Sequence, residues 1–261
     1  KTYIMGILNV TPDSFFDGGK YSNLENALKQ AEKMINDGAD IIDIGGESTR
    51  PGSEHVTVAE ELERVLPVIE KIKNIGVPIS IDTTKAIVAE QAVKLGAKII
   101  NDISGLTFDP EMVKVVAKTN TYTVIMHIKG NPKNMQLNPS YNDLIGEIKE
   151  FFQKNIALAL EHNISKNKII LDPGIGFGKT VEHNLEILRN LGLFKDIGFP
   201  LLLGTSRKSF ITKISGVPIE ERLEGSIATA VTGVAAGVDI LRVHDVKETK
   251  RAIMIADAIY R

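Results

Sequence analysis

Short apolar runs alternate with longer amphipathic ones from residue 3 to residue 260. The runs at 3–9, 41–45, 79–82, 99–101, 122–126, 169–172, 201–204 and 240–243 predict strands that are hydrophobic at successive positions. That pattern fits strands covered on both faces, as in a parallel sheet flanked by helices. Between them, apolar positions spaced by three and four predict helices over 24–37, 58–74, 85–95, 110–119, 141–162, 182–191, 220–236 and 246–260. Eight β-then-α units favour a closed barrel over an open doubly wound sheet. The expected fold is α/β, a single (β/α)8 TIM barrel over residues 1–261.

A weak internal repeat supports the count. Gly38-Ala39-Asp40-Ile41-Ile42-Asp43, Gly96-Ala97-Lys98-Ile99-Ile100-Asn101 and Gly237-Val238-Asp239-Ile240-Leu241-Arg242 follow one pattern, and Gly76-Val77-Pro78-Ile79 is a looser copy. Each Gly closes an amphipathic run and suits the left-handed helix stop. A buried strand follows, ending in a polar side chain. In this fold the C-terminal strand ends converge on one mouth, where the active site is built. Those ends read Asn9, Asp43, Asp82, Asn101, His127, Asp172, the 204–208 segment, and Arg242 with His244. One polar strand end is ordinary; so many buried acids and amides need partners, which a donor-rich ligand supplies.

Composition narrows the chemistry by exclusion. A formal net charge of -2 over 261 residues argues against generic nucleic-acid or anionic-membrane binding, so an anionic ligand needs a local basic cluster. With no cysteine, thiolate catalysis, disulfides and Cys-based zinc sites are excluded, and a reducing cytoplasm fits. The chain opens directly on a strand rather than a targeting segment, and its longest apolar stretch, 227–241, is too short for a membrane span. Gly174-Ile175-Gly176-Phe177-Gly178-Lys179-Thr180 looks like a phosphate loop, yet Pro173 stands where the first Gly belongs, and the dinucleotide spacing fails at Lys179. Gly204-Thr205-Ser206-Arg207-Lys208 ends in Lys where a nucleophile elbow needs Gly.

Three segments carry a family resemblance: Gly6-Ile7-Leu8-Asn9-Val10-Thr11-Pro12-Asp13-Ser14-Phe15 with Asp17-Gly18-Gly19, Gly45-Gly46-Glu47-Ser48-Thr49-Arg50-Pro51-Gly52, and Gly204-Thr205-Ser206-Arg207-Lys208-Ser209. Ser80-Ile81-Asp82-Thr83, Asn101-Asp102-Ile103-Ser104-Gly105, Met126-His127, the 171–179 segment and Arg242-Val243-His244-Asp245 support them. In order and spacing the chain resembles the dihydropteroate synthases from end to end, departing at Phe16, where Ser is usual in that family. Other pterin-binding barrels, such as corrinoid-linked methyltransferases, would share the pocket acids but not the first two loops, and a non-catalytic pterin binder would need no pyrophosphate clamp of Arg50, Lys208, Arg242 and His244.

The resemblance implies condensation of 6-hydroxymethyl-7,8-dihydropterin pyrophosphate with p-aminobenzoate, a folate-pathway transfer inhibited by sulfonamides. It assigns the pterin to Asp82, Asn101, Met126, Asp172, Gly204, Lys208 and Arg242. Carboxylates and an amide suit the donor-rich edge of a pterin. Pyrophosphate falls to Asn9, Arg50, Arg242 and His244, with Asn9 helping to hold Mg2+. Phe15, Thr49, Pro51, Phe177, Lys208 and Ser209 resemble the p-aminobenzoate site. Asp82, Lys208, Arg242 and His244 are the expected catalytic residues, and loss of Arg242 is expected to depress turnover more than pterin binding. A homodimer is also implied, and the small-residue run 227–237 could serve either the barrel or a subunit contact.

Overall fold

The computed structural model describes residues 1–11, 20–48, 52–53 and 55–261, without the side chains of 20–23. Eight strands run parallel: β1 (Tyr3–Asn9), β2 (Ile41–Gly45), β3 (Ile79–Asp82), β4 (Ile99–Asp102), β5 (Tyr122–Met126), β6 (Ile169–Asp172), β7 (Leu202–Leu203) and β8 (Ile240–Val243). Their order is β6-β5-β4-β3-β2-β1-β8-β7, and a parallel bridge between Leu171 and Leu201 joins the two ends into a barrel. The outer ring is α1 (Lys20–Asn36), α2 (Val58–Ile72), α3 (Ala86–Leu95), α4 (Met112–Thr119), α5 (Leu144–Glu161), α6 (Val181–Arg189), α7 (Leu191–Lys195), α8 (Ser209–Ser215), α9 (Leu223–Ala235) and α10 (Val246–Tyr260).

Local chemistry sets the helix ends. Thr57 and Glu60 form a reciprocal capping box that starts α2, and Asp143 accepts the Gly146 amide to start α5. The repeat glycines all take positive φ, +102° at Gly38, +122° at Gly96 and +88° at Gly237, so the helix-stop reading holds. Two helices differ from expectation. The helix expected over 182–191 breaks at Asn190, whose φ of -116° separates α6 from α7. The short α8 lies in a stretch to which the sequence pattern assigns no element; Phe210 and Ile211 bury its inner face. β7 is also shorter than expected: its pairing with β8 ends at Leu203, ahead of the turn at Ser206 and Arg207. None of the described helices is long and apolar enough to cross a membrane.

Two apolar layers sandwich the sheet. The larger lies between strands and helices, where Ile4, Leu8, Ile42, Ile81, Ile100, Ile125 and Leu171 meet residues such as Val65, Phe152 and Ile253. The smaller fills the barrel interior with Met5, Ile41, Ile99, Val124, Ile170, Leu202 and Ile240. Residues two apart on a strand share a face. Stepping two residues from this interior ring therefore gives Ile7 on β1 and then a mostly polar set, Asp43, Asn101, Met126, Asp172, Gly204 and Arg242. The fold thus stacks a polar layer directly above an apolar plug.

Candidate active site

Arg242 is the hub of that polar layer. Its Nε donates to Asp43 Oδ2 at 2.6 Å, and one terminal nitrogen donates to Asp82 Oδ2 at 2.6 Å. Asn101 donates its amide N–H to the same Asp43 oxygen at 3.1 Å. Asp43 Oδ1 is buried and finds no partner among the described residues. Two buried carboxylates thus share one guanidinium. Burial pushes the Asp82 carboxyl up, Arg242 opposes this, and Asp43 adds to it. The opposite holds for Arg242: burial works against its charge, but Asp43 and Asp82 more than compensate and raise it. Besides its expected roles toward pterin and phosphate, Arg242 is thus held by two carboxylates.

Asp172 stands across the mouth at the end of β6. Its Oδ1 accepts the Gly174 amide at 2.7 Å, and burial lifts its pKa to about 6 despite Lys208, Arg242 and Lys179 nearby. Lys208, just before α8, places its ammonium 4.1 Å from the Phe177 ring centroid. Burial, with Arg242 assisting, brings Lys208 down to about 8, against the pull of Asp172 and Asp82. Phe177 joins Ile103, Met126, Ile128 and Met135 in a small apolar cluster, so Met126 and Phe177 are core residues facing the mouth. A flat ring between Asp172, Met126 and Lys208 would meet hydrogen-bond acceptors at its edge and apolar surface on its face.

At the other rim, Ser206 pairs with His244. The hydroxyl lies 3.0 Å from His244 Nδ1 and accepts the His244 backbone N–H at 3.1 Å. Burial and Arg242 bring the imidazole down to about 3, so it is neutral at physiological pH. When Ser206 donates to Nδ1, the ring proton sits on Nε2 as a single donor. Arg207 holds the 204–208 turn by two bonds to Asp245, 2.9 and 2.6 Å, at a φ of +56°. Ser209 opens α8 and is exposed.

Gly45 lies between β1 and β3: a Cβ there would sit 3.6 Å from Asp82 Cβ and 3.8 Å from Asn9 Oδ1. Asn9 is therefore close to the Asp82 side of the mouth. No group of three or more His, Cys, Asp or Glu gathers as a metal cage among the described residues. One amide oxygen still fits Mg2+, which takes most of its ligands from water and substrate phosphate.

The structure thus brings Asn9, Asp82, Asn101, Met126, Asp172, Phe177, Gly204, Lys208, Ser209, Arg242 and His244 to one end of the barrel. Phe15, Thr49, Arg50 and Pro51 lie outside the described residues. Sequence reasoning marks Asp43 as a polar strand end without giving it a role. The signal is its place in the repeat, where the other copies end in Asn101 and Arg242, the two side chains it binds.

Residues 5–244 match the family model described as pterin binding enzyme. A dihydropteroate synthase of Bacillus subtilis is 52% identical over 260 residues, 99% of this chain and 89% of that protein. One from Synechocystis is 51% identical over 263 residues, 100% of this chain and 91% of that protein. A dihydropteroate synthase structure from Clostridium difficile, determined in the presence of pteroic acid, superposes with a TM-score of 0.95 at 53% identity, covering 100% of this chain and 97% of that one. A Yersinia pestis dihydropteroate synthase in a sulfonamide drug complex gives 0.94 at 47% identity, covering 99% and 94%.

Proposed function

Since the chain belongs to the dihydropteroate synthases of the pterin binding enzyme family, we propose that it joins 6-hydroxymethyl-7,8-dihydropterin pyrophosphate to p-aminobenzoate, yielding 7,8-dihydropteroate and pyrophosphate, at the mouth described above. The observation that carries the site is the ring of Asp43, Asp82, Asn101, Asp172 and Arg242 one step above an apolar plug. Nothing in it resembles a nucleophile with its base. The chemistry it supports is electrostatic.

Asp172 and Asn101 receive the donor edge of the pterin, with Met126 against its face and Gly204 leaving room beside Arg242. Pyrophosphate departs from a methylene on an electron-rich ring, and the positive charge left behind spreads into that ring. Asp82 lies where it can stabilise that charge. Arg242 and the Nε2–H of His244 take the leaving oxygens, together with Arg50. Mg2+, held by Asn9 and the phosphates, would neutralise part of the leaving group's charge. The aromatic amine is neutral at physiological pH and attacks without a strong base. Phe177, Lys208 and Ser209 receive p-aminobenzoate, with Phe15, Thr49 and Pro51 completing that site. Sulfonamides, as mimics of this second substrate, are expected to compete there.

A homodimer belongs to the same proposal. The inner stripe of α9 serves the barrel, since a Cβ on Gly233 would sit 2.7 Å from Leu203 Cδ2. The outer face of α10 exposes Met254, Ile255 and Ile259, which supports a subunit contact there. The cysteine-free composition fits the cytoplasmic setting proposed with it. A coupled assay decides the main reading: pyrophosphate release must require both substrates and yield dihydropteroate. Release without p-aminobenzoate, or none at all, rejects it.

A further inference from the structure

The segment between β6 and α6 carries Phe177 and the Gly174 amide, yet its backbone offers little to hold itself in place. Gly174, Gly176 and Gly178 have φ of +69°, +82° and +66°. It is pressed onto the chain after β5: a Cβ on Gly174 would lie 1.9 Å from His127 O, and one on Gly178 would lie 2.4 Å from Lys129 O. Such a segment depends on side chains for its shape.

Asn184, which accepts the Gly176 amide at 2.8 Å, and Lys179 are the two most buried of them. Lys179 is 3% exposed, and its ammonium bonds His127 Nδ1 at 2.9 Å, Phe177 O at 3.0 Å and His127 O at 3.4 Å. An ammonium can only donate, so His127 must be neutral with its proton on Nε2. Burial, then Lys179 and Lys129, brings that imidazole down to about 2, in agreement. His127 is itself fixed, its ring edge-on to Phe151 at 5.0 Å and its amide bonded to Asp172 O at 2.9 Å. Burial brings the Lys179 ammonium down to about 7, with only the Asp172 carboxylate opposing; this is a costly way to fill space, because an apolar side chain of the same length avoids the desolvation. The charge therefore has another use.

We infer that Lys179, with His127 as its acceptor, is a positioning residue that locks the β6–α6 segment so that Phe177 lies under Lys208 and the Gly174 amide meets Asp172. This rests on the proposed roles of Phe177 and Asp172. The test compares Lys179→Met, His127→Leu and His127→Asn in the full chain, with both substrates. The Asn oxygen occupies the place of Nδ1 and keeps an acceptor for Lys179; Leu removes it.

Lys179→Met and His127→Leu should each raise KM for p-aminobenzoate about tenfold or more, while His127→Asn stays within about threefold of the parent. Should Lys179→Met fail to fold, the two His127 variants decide alone. Parent-like KM values in Lys179→Met and His127→Leu, or equal damage from Asn and Leu, overturn the inference. Phe177→Ala separates the two layers of argument. If it raises that KM while Lys179→Met and His127→Leu are silent, only the inference falls; if it too is silent, the p-aminobenzoate reading fails and the inference with it.

Discussion

Two rings of side chains share the barrel interior, and they differ in everything except their strands. The lower ring, with Ile41, Ile99, Ile170 and Ile240, is apolar and closed. The upper ring, one step along the same faces, holds Asp43, Asn101, Asp172 and Arg242. In the lower ring burial is favourable by itself, about 25 cal/mol per Å2 of apolar surface. In the upper ring burial is unfavourable unless partners are supplied, and the protein supplies only some of them: Asp43 Oδ1 remains without one among the described residues. The two rings teach that this barrel gives up stability where chemistry happens and recovers it two residues below.

Breaking the upper ring at its hub should have the largest effect. Arg242→Ala leaves Asp43 and Asp82 buried without their cation, and loss of one partner of a buried pair costs about 3–5 kcal/mol. Turnover should fall by about 10²–10³ for loss of a charge-stabilising donor. Binding of a pterin lacking pyrophosphate should weaken less than turnover does. Calorimetry beside steady-state kinetics checks this, and equal losses would place Arg242 on the ring or the fold rather than on phosphate.

The lower ring should fail in the opposite way. Ile170→Ala, at a residue 5% exposed, should cost about 2–5 kcal/mol in denaturant unfolding while kcat/KM per folded molecule stays within about threefold. A large kinetic defect at full folding would mean that the two rings are not separable.

Asp172→Asn sharpens the contrast, because it keeps volume and changes only charge and acceptor. Pterin affinity should fall by about 1–3 kcal/mol for each hydrogen bond it can no longer accept, read by calorimetry. Stability should respond with pH. The folded pKa of Asp172, about 6, lies above the ordinary carboxylate value, so the folded state binds the extra proton. Its contribution is therefore favourable at low pH and is lost as pH rises through about 6. The variant should gain on the parent as pH increases from about 4 to 7, seen as converging or crossing urea midpoints. A constant difference would mean that Asp172 is not strained by burial.

How far these rings are legible in the sequence follows from the distances involved. The strand pattern and the repeat glycines act over a few residues, and the barrel emerges from them. The polar strand ends are visible for the same reason, and with the family resemblance they reach Asp82, Asn101, Asp172 and Arg242. Partnership is not visible: Arg242 binds Asp43 across 199 residues, and Lys179 meets His127 across 52. In the sequence Lys179 stands out only as the position that spoils a dinucleotide motif. The short α8 escapes detection because a seven-residue helix with two buried apolar residues leaves hardly any periodicity.

The smallest effect tests the finest feature of the upper ring, the tautomer of His244. Ser206 is 5% exposed, and while its oxygen accepts the His244 amide its hydroxyl proton is free to donate to Nδ1. This arrangement keeps the proton on Nε2, facing the proposed leaving group. Ser206→Ala removes a neutral hydrogen bond, about 1 kcal/mol, and turnover should drop by roughly fivefold near neutral pH. It also frees the ring to place its proton on Nδ1 and turn a lone pair toward phosphate oxygens. That form binds the leaving group only after a second proton is added, which lower pH favours. The ratio of variant to parent turnover should therefore rise only as pH falls from about 6 toward about 3, where the buried imidazole takes its second proton. A ratio flat across that range would show that Ser206 merely caps the His244 backbone, and His244 would then lose its role as an oriented donor.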